Sequence, residues 1–399
     1  MSKLQELIQK LCPNGVEYKK LETVCELSRG KVYSKTYITA NAGDYPVYSS
    51  QTANNGELGR ISTYDYDGEY LTWTTDGAYA GTIFHRKGKF CITNVCGLIA
   101  VKSPDILNIR FLYYWLSIKA QDYVYRGMGN PKLMSNQIAP IEIPIPPLEV
   151  QEEIVRILDN FTNLAAELQA ELQARQEQYE YYRNKLLTFN ELKGVGQSVT
   201  WMKMSEIFEM KNGYTPSKAV TEYWENGIIP WFRMEDIRKN GRILSDSILH
   251  ITPQAVKGGK LFHANSIILA TTATIGEHAL IIADSLANQR FTNLSIRKSL
   301  SNALDMKYFY YYMFVIDDWC RNNTNVSGFA SVDMRKLKNL LIPIPPLAEQ
   351  KRIVSILDKF DALVNDLSRG LPAEIAAVQE QYEYYRNKLL SFPRTKISA

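Results

Sequence analysis

The chain has 399 residues, 45% apolar and 22% charged, which sizes it for two or three soluble domains and gives no bias toward disorder. Its formal net charge of +4 permits an electrostatic partner without demanding one, so a nucleic-acid surface would need its cations gathered on one face. No apolar run reaches the roughly 18 residues of a membrane span, and the opening MSKLQELIQKL is charged and amphipathic rather than a signal peptide, so the expected compartment is the cytoplasm.

Taken in chain order, residues 1–142 alternate short strand-like runs (GEYLTWTT, KFCITNVCGLIAV) with Gly, Asn and Asp turns and close on the aromatic stretch RFLYYWL. That pattern predicts a mixed α+β domain ending in one helix. The five cysteines (Cys12, Cys25, Cys91, Cys96, Cys320) are odd in number and scattered, which fits free thiols in a reducing compartment. Cys91 and Cys96 are spaced too widely for a zinc knuckle and have no second pair, so they are read as buried strand residues.

Residues 143–189 open on IPIPPL and continue with Ile154, Ile157, Leu158, Phe161, Leu164, Ala165, Leu168 and Leu172, apolar at steps of three and four. This predicts a helix roughly 60 to 65 Å long whose stripe needs a second helix to cover it. It carries AAEL and QAEL in tandem (165–172) and ends in QEQYEYYRNKLL (176–187).

Residues 190–341 repeat the globular plan (NSIILATTA, RFTNLSI, KYFYYYMF), and 342–399 repeat the hinge and helix, with IPIPPL at 342–347 and QEQYEYYRNKLL unchanged at 379–390. Val16, Tyr18, Glu26 and Gly30 answer Val199, Trp201, Glu209 and Gly213, so the chain is an internal duplication. Around SRGLPAEI (368–375) the second helix carries about four extra residues, and Gly370-Leu371-Pro372 should break or kink it. A dodecamer kept identical while the globular segments drifted is expected where one surface is offered twice to the same partner. Packing against equivalent features within the chain is a second reading, and a recent duplication that has not yet drifted is a third.

The residues show no catalytic chemistry. GMGNPK (127–132) has a lone G-x-G and lacks the second proline and aromatic of an adenine pocket, so it is read as a turn or phosphate-contacting loop. Pairing Pro104-Asp105 with Glu191-Leu192-Lys193 as a nuclease site fails because the long helix lies between them. The four histidines have no ligand spacing, and no metal site or nucleophile with a base partner is expected.

The duplicated plan, both hinge-helix motifs and GYTPSK with YWENGIIPW (213–231) resemble the DNA-specificity subunit of type I restriction-modification systems, in the branch with tandem tetrapeptide repeats. The resemblance covers the whole chain. It implies two target recognition domains separated by two long antiparallel coiled-coil helices with pseudo-two-fold symmetry, each domain reading half of a bipartite double-stranded site. It also implies two adenine-N6 methyltransferase subunits docked on the helices and two restriction subunits joined through them. S-adenosylmethionine is then expected in the methyltransferase, ATP and Mg2+ in the restriction subunit, and no cofactor in this chain. Four inserted helical residues would add ~6 Å and ~40° of rotation, so DNA spacer length should follow the tetrapeptide count.

On that reading, the first domain offers Lys31, Lys35 and Lys132 to phosphate, Gln51, Asn54 and Arg60 to base edges, and Thr74 and Thr75 to phosphate or a thymine methyl. The second offers Lys211, Ser217 and Lys218 in the matching turn, Arg233 and Arg242 as base readers, Thr271, Thr272 and Arg290 from the opposing loop, and Arg335 in a place like that of Lys132. Tyr179, Tyr182, Arg183 and their copies Tyr382, Tyr385, Arg386 are the candidate partner-docking set. The competing class is a coiled-coil interaction protein that reads no DNA.

Overall fold

A computed structural model describes residues 3–127, 129–189, 199–325, 330–366 and 369–395. The chain gathers into two compact units that do not follow its order: Met1–Glu167 with Ile375–Ala399, and Leu168–Glu374. Each unit therefore joins a globular segment and its own hinge to the dodecamer of the other repeat.

In the first unit a six-stranded sheet runs in the order Cys25–Arg29, Cys96–Val101, Tyr66–Thr74, Ile83–Ile92, Ala42–Tyr48 and Glu57–Ile61. Gly30 N–H reaches Cys96 O at 3.4 Å and Lys31 N–H reaches Ile92 O at 3.2 Å, so the end of Cys25–Arg29 meets the turn between Ile83–Ile92 and Cys96–Val101. Leu71, Trp73, Ile83 and Ile99 on one face pack with Phe111, Leu112 and Leu116 of the helix Ile109–Lys119 and with Val150, Ile154 and Leu158 of the hinge helix. Asn108 starts the aromatic helix by accepting from Arg110 N–H and Phe111 N–H at 2.8 and 3.2 Å, the bonds an N-cap supplies.

The second unit has a five-stranded sheet ordered Phe208–Asn212, Phe291–Ile296, Ser266–Ala270, His278–Ile281 and Ile243–Leu244, beside a three-stranded one. Its aromatic helix Met306–Asn322 is capped by Asp305. The duplication is legible to the register: Glu17 pairs with Ile145 and Tyr18 with Pro144, while Thr200 pairs with Ile344 and Trp201 with Pro343. These two-stranded pieces tolerate proline because they have free edges.

Two buried glutamines, absent from the expectations above, fix the hinges. Gln151 accepts from Asn108 N–H at 2.8 Å and donates to the carbonyls of Ile106 and Pro146 at 2.8 and 2.7 Å. Gln350 accepts from Asp305 N–H at 2.8 Å and donates to those of Ala303 and Pro345 at 3.4 and 2.8 Å. Their signal in the sequence is Pro-Pro-Leu-x-x-Gln, present in both copies.

The first long helix, Leu148–Leu187, runs unbroken for 40 residues. The second is not one rod but two helices of 19 residues, Leu347–Asn365 and Leu371–Leu389. Gly370 lies where a Cβ would meet the carbonyl oxygens of Ala362 and Leu363 at 2.6 and 2.7 Å, and Pro372 sits in the first turn of the new helix, where no N–H is needed. Within the first unit the N-terminal part of Leu148–Leu187 runs against Leu371–Leu389, and within the second its C-terminal part runs against Leu347–Asn365, through the aromatic contacts described below. Among the described residues no helix is long and apolar enough to cross a membrane.

Candidate nucleic-acid interface

In the first unit a chain of backbone bonds draws five loops to one end of the sheet. Thr93 N–H reaches Tyr48 O at 2.8 Å, Thr75 N–H reaches Val95 O at 3.2 Å, Gly77 N–H reaches Pro131 O at 3.1 Å and Leu133 N–H reaches Thr75 O at 3.0 Å. The turn at the centre must be glycine, since a Cβ on Gly30 would lie 2.0 Å from Ile92 O. Gly213 does the same in the second unit, 2.3 Å from Ala287 O, and there Thr271 N–H to Arg290 O and Val332 N–H to Thr271 O, both at 2.9 Å, gather the matching loops.

This end collects Lys31, Gln51, Asn54 and Lys132 of the expected contacts, with Lys35 and Arg60 on the neighbouring helix and edge strand. Lys31 is exposed and bonded at 2.6 Å to Asp65, whose hydrogen bond and charge hold its ammonium above the usual lysine range. Lys35 opens the helix Lys35–Ala40. Asn54 is exposed at φ 50°, whereas the Gln51 side chain is turned back onto Glu57 O. Arg60 is clamped by both Glu57 oxygens, at 2.9 and 3.0 Å.

Thr74 and Thr75 cannot touch a phosphate in this arrangement, because both are fully buried. Thr74 Oγ1 donates to Tyr79 O and Thr75 Oγ1 to Val95 O at 2.9 Å, so these hydroxyls shape the loop rather than meet a ligand. Thr271 is buried likewise, against Thr292 at 3.0 Å, and Thr272 Oγ1 lies 3.5 Å from Arg290 O. Lys132 and Arg335 are not in like places. Lys132 bridges Asp76 and Ser331 bridges Thr272, so Ser331 is the counterpart of Lys132, and Arg335 lies beyond it in the first turn of the helix Met334–Asn339.

In the second unit Lys211 and Lys218 are exposed, Lys211 3.8 Å from Glu209. Ser217 is exposed, its carbonyl accepting from Trp224 Nε1 at 3.1 Å, and Arg290 and Arg335 are exposed too. Arg233 leans on the Trp231 ring, with Glu235 and Asp236 oxygens at 3.9 and 4.0 Å. Arg242 donates to His278 O at 3.0 Å and lies 5.2 Å from the Phe314 ring centroid, in a cavity of about 1110 Å³ that it shares with Arg183.

The residue-level reading passed over Tyr79, Tyr125 and Arg126. All three are exposed, and Tyr125 bridges Lys132, giving an aromatic and cationic mixture suited to nucleic acid. Gly-rich spacing between them was the available signal. Met128 of that segment, and Glu191, Leu192 and Lys193, lie outside the described residues. All five cysteines are buried and free, with burial pushing the Cys96 thiol up to about 12.

The dodecamers present two faces. Inward, Tyr179 is buried, Arg183 lies 5.2 Å from the Tyr179 ring and 4.2 Å from that of Phe314, and Arg386 lies 5.2 Å from the Tyr382 ring. Tyr182 and Tyr385 are partly covered by Phe360 and Phe161. Outward stand Tyr181 and Tyr384, 59% and 60% exposed, with Lys185 and Lys388 at 5.5 and 5.4 Å from their rings. The equivalent leucines Leu164 and Leu363 are exposed too, so each unit exposes the same apolar and cationic side chains.

The chain matches the family model described as the type I restriction modification DNA specificity domain twice, over residues 13–177 and 198–377. It is 52% identical over 209 residues to the specificity subunit of the Escherichia coli type I restriction enzyme EcoprrI, an alignment spanning 51% of this chain and about half, 52%, of that protein. It is 32% identical to a putative type I specificity subunit of Mycoplasma pneumoniae over 94% of this chain and 97% of that one. The fold is shared with the S subunit of a type I restriction-modification system from M. genitalium, at TM-score 0.59 and 15% identity over 95% of this chain and 96% of that one.

Proposed function

Because the chain belongs to the family of type I restriction-modification specificity subunits, we propose that it reads a bipartite DNA sequence, one half-site through the loop cluster of each unit, and positions methyltransferase subunits on that DNA. The carrying observation is duplication at the level of geometry. Each unit builds the same glycine-centred loop end for DNA and the same outer helix face for a partner. Two equal faces call for two copies of one partner, here an adenine-N6 methyltransferase subunit supplying S-adenosylmethionine. Restriction subunits, with ATP and Mg2+, would join through it. The chain itself takes the recognition role and no catalytic step, and it acts in the cytoplasm where the DNA lies. In this reading Tyr181, Lys185, Tyr384 and Lys388 join Tyr182 and Tyr385 in the docking set, while Tyr179, Arg183, Tyr382 and Arg386 support them from within.

The test is co-expression with the cognate modification subunit and mapping of N6-methyladenine across the host genome. A split motif with a fixed spacer, present only with this chain, is the expected result. A stable complex that yields no such motif, and binds DNA without steep salt dependence, would leave a scaffold that does not read DNA.

A further inference from the structure

Arg86 stands on the strand Ile83–Ile92 and is 3% exposed. Its guanidinium carbon lies 3.6 Å from the ring centroid of Tyr48 and 4.4 Å from that of Phe84. Aromatic contact covers the π surface of a guanidinium and leaves its N–H edge to be satisfied in plane. Nε donates to Thr72 Oγ1 at 3.2 Å, but beyond the Tyr48 side chain Nη1 and Nη2 meet no acceptor at hydrogen-bond geometry, and Arg86 forms no ion pair among the described residues. Burial of a cation without a carboxylate opposes folding, as its lowered proton affinity reflects, so a purely structural filler would be better served by an apolar residue.

The roof over this edge is the turn Ala53–Gly56. Gly56, at φ +79°, lies where a Cβ would be 3.0 Å from Nη2, and it follows Asn54 and Asn55 at φ 50° and 51°. Consecutive left-handed residues store strain that a bound state can relieve. The turn is closed by Ser49 N–H to Gly56 O at 2.9 Å and by the Gln51 side chain to Glu57 O, and it belongs to the loop cluster assigned to DNA.

We propose that Arg86 is a specificity-determining residue of the first unit: when the turn Ala53–Gly56 lifts, its two Nη groups donate to O6 and N7 of a guanine in one half-site. The inference rests on the DNA-reading function proposed above. A guanine edge fits because its two acceptors lie in one plane, as do the two donors of the guanidinium. Adenine would turn its N6 donor toward those same donors. Phosphates have the exposed Lys31 and Lys132 nearer the surface.

The experiment maps N6-methyladenine in cells carrying the modification subunit with the wild-type chain, with Arg86→Lys or with Arg86→Gln, alongside the melting midpoint of each purified complex. Both variants should relax discrimination at one G·C pair of one half-site, on the order of 10- to 100-fold, leaving the other half-site and the spacer unchanged. An unchanged motif in both variants overturns the proposal. So does an even loss at every position, which marks a phosphate contact, or loss of all methylation with a lowered midpoint, which marks a structural residue. Absence of any motif with the wild-type chain instead removes the DNA-reading function beneath it.

Discussion

The ring of Tyr182 is stacked on that of Phe360, centroids 5.6 Å apart and planes at 24°, and Tyr385 repeats the arrangement on Phe161 at 5.5 Å and 22°. Phe161 and Phe360 are equivalent residues of the two hinge helices, and Tyr182 and Tyr385 of the two dodecamers. Each dodecamer therefore enters a socket built by the other repeat or its equivalent, and the sockets match. A matching cation and tyrosine grip the carboxylate two residues before each phenylalanine: Lys307 and Tyr311 hold Asp358 at 2.7 and 2.6 Å, as Arg110 and Tyr114 hold Asp159. Identical sequence answers identical sockets.

Phe360→Ala should lower the stability of the second unit by about 2 kcal/mol, and a double-mutant cycle with Tyr182→Ala should return a coupling of ~0.5–1.5 kcal/mol. Denaturant titrations of the four proteins measure it. The cycle of Phe161 and Tyr385 should return the same value within error, and unequal couplings would refute matched sockets.

Gln151→Ala should cost ~2–4 kcal/mol, because it strands one backbone N–H and two carbonyls in a buried site. Gln151→Glu should be no better, since its carboxylate would face the two carbonyls that now accept from Nε2. Gln350→Ala and Gln350→Glu should behave alike, and thermal melts of the four variants decide the matter.

The second unit should lose stability in mild acid. His278 is fully buried against Tyr310 and Phe314, 2.7 Å from Asp317 and with Arg242 nearby, and burial holds its imidazole below the usual histidine range. The unfolded chain thus binds a proton more readily than the folded one, so stability is full above about pH 6.5 and falls as pH drops below it. His278→Gln should flatten the pH dependence between pH 7.5 and 5.5, as read by denaturation midpoints.

Arg126→Ala and Lys132→Ala should weaken DNA binding to all sequences alike and reduce the salt slope by about one each. Thr75→Val should leave that slope unchanged while lowering stability by ~1–2 kcal/mol through the lost bond to Val95. Fluorescence titration at several salt concentrations separates the two behaviours.

Much of this was legible in the residues. The duplication, the hinges, the helical stripe and the break at Gly370 follow from pattern and backbone chemistry alone. Periodicity shows which face of a helix is apolar but not which segment covers it, so the crossing of dodecamers between repeats was invisible. Residue type also misled: Thr74 and Thr75 suit a phosphate, yet their hydroxyls close a loop. Lys132 and Arg335 looked equivalent by distance from the hinge, and only the strand bridges showed that Ser331 holds the matching place. Arg86, in a strand of alternating character, gave no sign of being buried without a partner.

The two dodecamers bracket residues 188–378; the seat of the first, Phe360, travels within that stretch, and the seat of the second, Phe161, stays outside it and matches. An exchange of genetic material within the repeated stretch would therefore deliver a new recognition segment with its seat already fitted. Inheritance of a new target sequence then takes one crossover, where a packed interface built from unlike halves would require many compensating substitutions.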